Sequence, residues 1–327
     1  MQSFIFALNA VLPILFTVAT GYVLKRLGFL NAEFCKRANR VIFRCFLPCL
    51  LFLNIYKMDG FGNMGGFILY GIIALFVVFF LGCFVSGMVT DDGARRGVIV
   101  QGTFRSNYAL VGIPLAGLLF GDEGVIAATL MSAISVPMLN IFAVISLSVF
   151  NKRDGKVKPT DILRDIVKNP LLQGILAGVV FVFVRGIFEA NDIGFRLSNI
   201  QPVYTFLEYL ASIATPLALV TLGAQFDFSA AKEMRREIIV GTLLRTVIVP
   251  LLGIGVAYIF FRDTFSGAHF ATLVALFGTP VAVSSVTMAQ EMNGDTILAG
   301  QLVVWTTAVS MFTIFLCAFL LKTAGIF

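Results

Sequence analysis

Apolar positions along the chain gather into long runs separated by short polar stretches, and the runs are too long and too uniformly apolar for soluble strands or amphipathic helices. About 20 apolar residues cross a bilayer as a helix. On that rule the sequence predicts spans near 3–24, 38–56, 66–88, 97–120, 125–150, 170–188, 201–224, 238–261, 268–290 and 297–321. The expected fold is therefore an all-α membrane protein with ten transmembrane helices. Two of the runs are interrupted. The fourth carries Arg105, Asn107 and Tyr108 at a depth where polar groups are costly, and glycine and proline break it at Gly112-Ile113-Pro114. The ninth is broken in the same way at Gly278-Thr279-Pro280. Glycine permits local unwinding and proline suits the first position of a new half-helix. Thr279 is placed to cap the second half-helix by accepting from a freed amide.

Composition agrees with this pattern: of 327 residues 58% are hydrophobic and only 13% charged, which excludes an ordinary soluble domain. The net charge of +6 comes from Lys and Arg in the short connections, as topology signals do, and this sets nucleic-acid binding aside. The odd-numbered connections carry sixteen Lys and Arg and the other side five, with Arg44, Arg105 and Arg245 inside spans. The expected placement is a multi-pass protein of the cell (inner) membrane with the odd-numbered connections in the cytoplasm and both termini on the other side. No Lys or Arg precedes the first run, as expected of a retained span rather than a cleaved signal peptide. The five cysteines show no CxxC and no histidine nearby, so they read as small apolar filler and no metal site is expected. No glycine-rich phosphate loop, zinc-binding helix motif or serine elbow is present, and no enzyme is expected.

The connection 151–169 is the longest polar stretch, and it divides the chain into a first five-helix repeat, 1–150, and a second, 170–327. Five is odd, so the second repeat enters the membrane from the opposite side. Pro216 follows Pro48 by 168 residues and Pro280 follows Pro114 by 166, in corresponding spans. Two proline pairs at nearly one offset point to an inverted repeat, the pattern of carriers that alternate access around a site at the repeat interface.

Irregular backbone in a bilayer is tolerated only where protein or a polar cavity surrounds it. Half-helices starting at Pro114 and Pro280 would aim their positive amino ends at each other and favour an anion. The candidate substrate-binding residues are Asn107, Tyr108, Gly112, Ile113, Pro114, Thr279, Pro280, Ser284, Ser285 and Asn54. Arg105 and Arg245 are candidates for attracting anions, with snorkelling to the interface as the competing role for Arg105. Glu208, the main acidic residue within a span, and Gln290 are candidates for coupling to a proton or sodium ion. His269, the only histidine, is expected to be an interfacial residue rather than a proton relay.

With ten spans, the repeat and the segment Arg105-Ser-Asn-Tyr-Ala-Leu-Val-Gly-Ile-Pro114, the chain resembles the auxin efflux carrier family in its prokaryotic form over nearly its whole length. The most specific segments are Asn107 to Pro114 and Thr215-Pro216-Leu-Ala-Leu-Val-Thr-Leu-Gly223. The resemblance implies a scaffold and a transport domain in each protomer, a substrate site where spans four and nine cross, and a homodimer. Prokaryotic relatives are linked with malonate, malate and other small carboxylates, and plant relatives with an indole carboxylate. The short central connection departs from the plant form, so regulation by kinases on a long loop is not expected. The expected function is a secondary active or potential-driven transporter of small organic anions that needs no cofactor and has the anion and the lipid bilayer as partners. The alternative is a membrane sensor that binds a carboxylate without transport.

Overall fold

Helix starts in this chain are set where polar connections meet apolar runs. The side chain of Asn31 accepts from the Phe34 amide at 2.8 Å, Asp92 from Ala94 at 2.8 Å, Asn169 from Leu171 at 2.9 Å and Asp295 from Leu298 at 2.9 Å. Each satisfies an amide that the helix itself leaves without an acceptor. Ser266 and His269 close a reciprocal box at another start, with His269 Nδ1 accepting from the Ser266 amide at 3.1 Å. This is a local capping role and fits the interfacial reading of the histidine.

The computed structural model describes residues 13, 16–57, 65–150, 167–226 and 230–327. Its main helices are α1 (16–26), α2 (Ala32–Tyr56), α3 (Gly66–Val89), α4 (Gly93–Phe104), α5 (Ile113–Phe150), α6 (Pro170–Ala190), α7 (Gln201–Gln225), α8 (Arg235–Phe261), α9 (Gly267–Gly278), α10 (Ser284–Glu291) and α11 (Thr296–Thr323). Seven of these, α2, α3, α5, α6, α7, α8 and α11, are long and apolar enough to cross a membrane. The described residues are helical apart from connections and one isolated β-bridge. Residues 3–12, 14 and 15 of the expected first span and 151–166 of the expected linker lie outside the described residues.

The expected fourth and ninth spans are each divided. α4 ends at Phe104, and a π-helical turn at Tyr108–Gly112 leads into α5. α9 ends at Gly278, and α10 resumes at Ser284. α5 is itself bent at Phe120–Gly121, where Gly121 has φ 61° and ψ −153°, a conformation open to glycine alone. The bend separates the stretches expected as spans four and five.

Packing sorts the helices into two groups, each drawing on both halves of the chain. In the first, α2 lies against α6 and α7, and α1 approaches α7 so closely that a Cβ on Gly223 would sit 1.8 Å from the Val18 carbonyl oxygen. Small residues allow such backbone approach between membrane helices. In the second, α4 packs between α3 and α5, α5 lies on α9, and α11 touches α4, α8 and α10. α9 is the centre of this group, with Phe270, Leu273, Leu276 and Phe277 fully buried.

Candidate functional site

The two interruptions lie side by side. Ser106 and Val281 form an antiparallel bridge, the Asn107 amide donates to the Pro280 carbonyl at 2.8 Å, and the Ala282 amide donates to the Arg105 carbonyl at 3.1 Å. The Val281 amide donates to Thr306 Oγ1 at 3.1 Å. Unwound backbone at membrane depth thus finds partners in the other interruption and in α11, as the absence of water requires.

Arg245 of α8 completes this accounting. Its buried guanidinium donates to the carbonyls of Thr279 at 2.8 Å, Leu276 at 3.0 Å, Thr103 at 3.2 Å and Phe104 at 3.3 Å. These carbonyls end α4 and α9, whose carboxyl ends each carry roughly half a negative charge. One guanidinium therefore matches two helix ends in both charge and hydrogen bonds. Arg245, expected from sequence to attract anions, is spent on backbone and does not line the cavity described below.

The opposite side of the interruptions carries positive charge. The turn at Tyr108 and the start of α10 present helix amino ends, whose first amides have no acceptor within the helix. Arg105 stands with them, only 3% exposed. Its guanidinium donates to Asn140 Oδ1 at 2.9 Å and Ser284 Oγ at 3.0 Å, and also contacts Met288 Sδ. All three partners are neutral, and among the described residues no carboxylate lies within ion-pair reach of Arg105. The side chain is buried among protein groups, so the snorkelling role does not hold.

These groups face a cavity of about 70 Å³ between the two helix groups. One wall comes from α2 and α7 and includes Asn54 and Thr215; the other holds Arg105, Asn107, Tyr108, Asn140 and Ser284. No Asp or Glu lines it among the described residues. The Tyr108 hydroxyl donates to the Ala128 carbonyl at 2.7 Å, so the ring is fixed and the hydroxyl is engaged elsewhere. Asn54 also lines a second cavity of about 280 Å³ with Lys57 and Ile113.

Other candidates fall away from the cavity. The break in the fourth segment is at Arg105–Asn107 and not at Gly112-Ile113-Pro114. Pro114 lies within continuous helix, exposed on α5 and seven residues beyond Asn107. Gly112 serves close approach, since a Cβ there would lie 2.8 Å from the Ala275 carbonyl oxygen. The Thr279 hydroxyl donates back to the Ala275 carbonyl at 2.8 Å, so it does not cap α10. The Ser285 hydroxyl is buried without a partner, outside the cavity wall. Gln290 Oε1 accepts from Asn39 Nδ2 at 2.6 Å, also away from the cavity.

Glu208 pairs with Lys57 at 2.9 Å, with side chains 42% and 51% exposed. Exposed pairs contribute roughly 0–1 kcal/mol. Glu208→Gln is therefore expected to lower stability by less than about 1 kcal/mol and to leave the pH dependence of flux unchanged, as read by a melting curve and a pH series of uptake.

Asn140, Met288, Asn39 and Thr221 were not among the sequence candidates. Asn140 is the more legible, because an amide within an apolar run has to find a polar partner.

Helices of membrane length around an internal cavity with one buried arginine on its wall define a multi-pass membrane protein. The chain matches the model of a family described as "Membrane transport protein" over residues 6–318 and belongs to that family, which is the auxin efflux carrier family of the resemblance. It is 26% identical to an uncharacterized transporter of Methanothermobacter thermautotrophicus, covering 93% of this chain and 94% of that one. It is 28% identical to an uncharacterized transporter of Methanocaldococcus jannaschii, covering 74% and 76% respectively.

Proposed function

We propose that the protein is a secondary active or potential-driven carrier of small organic anions, mono- or dicarboxylates, which alternates access around the paired interruptions. The observation that carries this reading is Arg105: a buried guanidinium on a cavity wall, beside two helix amino ends, with only neutral partners. A buried charge without an opposite charge is costly, and a bound carboxylate supplies what is missing. Bidentate geometry suits guanidinium to carboxylate. At about 70 Å³ the cavity is well below the roughly 300–1,000 Å³ of pockets for drug-sized ligands, which favours small anions over an indole acid.

The arrangement proposed is ten spans in two inverted repeats, with the α2, α6 and α7 group as scaffold and the other group moving past it. The connections rich in Lys and Arg face the cytoplasm, and two copies assemble as a homodimer. With no carboxylate on the cavity wall among the described residues, the charge moved is set by Arg105 and the anion, which favours drive by the membrane potential. Among the described residues no carboxylate lines this wall to take up a coupling proton.

Anion binding is tested by melting the purified protein with dicarboxylates, monocarboxylates and amines of matched size. Ligand at about 100 times its Kd stabilises by about 2.7 kcal/mol. A rise in Tm with one or more carboxylates and none with amines is the expected result; no carboxylate effect at millimolar concentration would remove the anion site.

A further inference from the structure

We propose that Asn39 and Gln290 form a latch that closes one end of the path between the two helix groups, and that α10 links this latch to the anion site. The proposal rests on the carrier reading for its purpose, and on geometry for its existence. Gln290 Oε1 accepts from Asn39 Nδ2 at 2.6 Å, and Asn39 Oδ1 accepts from Thr221 Oγ1 at 2.8 Å. Asn39 and Thr221 belong to α2 and α7 of the first group and are each 1% exposed; Gln290 belongs to α10 of the second group. The bond therefore crosses between the groups, and Thr221 holds the Asn39 amide in orientation.

Two weaker contacts cross at the same end. Arg40 Nε lies 4.0 Å from Glu291 Oε2, and Asn169 Nδ2 lies 3.7 Å from Met292 Sδ. Around them the groups part into a polar cavity of about 670 Å³ that includes Arg44, Lys168 and Asn293. This cavity shares no lining residue with the central one, and fully buried Leu171 lies on the central wall beside Pro170 on the other. At the opposite end the relation differs. The cavity at Lys57 shares Asn54, Ala109 and Val136 with the central cavity. The central cavity is thus separated from the cavity at the Gln290 end and adjoins the one at the Lys57 end.

α10 spans this distance as a single rigid element. Ser284 at its start accepts from Arg105 in the anion site, and Gln290 lies six residues on, about 9 Å along the axis at 1.5 Å per residue. A change in how Arg105 and Ser284 are held is passed to the latch by movement of the whole helix. Gln290 is on this reading a positioning residue, and its oxygen is occupied by Asn39 rather than offered to a coupling ion.

The test uses the full chain in sealed vesicles, with Cys35, Cys45, Cys49, Cys83 and Cys317 replaced by alanine and Leu171→Cys as reporter. A membrane-impermeant maleimide is applied to one face or the other, and the ratio of the two labelling rates is read. Gln290→Ala is expected to raise labelling from the latch face several-fold, up to about tenfold for one lost hydrogen bond, and to lower labelling from the opposite face. Asn39→Ala, which removes the same bond from the other partner, gives the same shift. Equal acceleration from both faces would mean general loosening, and an unchanged ratio would mean no latch; either overturns the proposal. Labelling needs no substrate, so a shifted ratio in a protein that moves no anion would retain the latch and overturn the carrier reading.

Discussion

Replacing Arg105 by methionine is expected to reduce anion flux by at least about a hundredfold while leaving a folded protein whose stability is within about 2 kcal/mol of the parent. The two halves of this expectation have different causes. Flux falls because the only charged side chain on the cavity wall among the described residues is gone, and losing a hydrogen bond to a charged group costs roughly 1.5–3 kcal/mol per bond. Stability is nearly unchanged because burying a cation among neutral partners carries a penalty of several kcal/mol. Its removal offsets the lost bonds to Asn140 and Ser284, each worth roughly 1.5–3 kcal/mol as bonds from a charged group. Methionine keeps much of the volume. Arg105→Lys keeps the charge but loses the planar fork, so flux is expected to be lowered and not abolished. Uptake and melting temperature measured on the same preparations check both halves; parental flux in the methionine variant would remove Arg105 from the site.

Arg245→Leu is expected to do the reverse and to leave no folded protein from which flux could be measured. Four buried carbonyls, of Thr103, Phe104, Leu276 and Thr279, lose their donor at once. At roughly 1–3 kcal/mol for each unsatisfied group, the loss is on the order of 4–12 kcal/mol, comparable with the roughly 5–15 kcal/mol that holds a typical domain together. Arg245→Lys restores the charge between the two helix ends and at most three of the donors, so partial recovery of monodisperse protein is expected. The yield and melting temperature of the two variants after extraction provide the measurement. A leucine variant recovered in parental yield would show that the carbonyls find other partners.

These two arginines illustrate what was legible in the sequence. Both stand in apolar runs, and hydropathy alone gives them one role. Three-dimensional placement separates them, because Arg245 lies beside two helix carboxyl ends and Arg105 beside two amino ends. The paired interruptions were visible through glycine and proline, and in the ninth segment Pro280 lies in the break itself. In the fourth segment Pro114 misled, since the chain unwinds seven to nine residues earlier at Arg105–Asn107. There the pairing with Val281 and Ala282 replaces the helical bonds, and a partner distant in sequence leaves no local signal. The Asn39–Thr221–Gln290 chain was illegible for the same reason, with its members 182 and 251 positions from one another's partners.

On the function proposed above, the positive cavity moves a carboxylate across the membrane. The direct measurement is uptake of a labelled dicarboxylate by the purified protein in sealed liposomes, with potential, proton and sodium gradients imposed one at a time. Saturable uptake that follows the membrane potential and is absent in the Arg105→Met protein is the expected result. Binding of the anion with no flux under any gradient would contradict the account and leave a carboxylate sensor in its place.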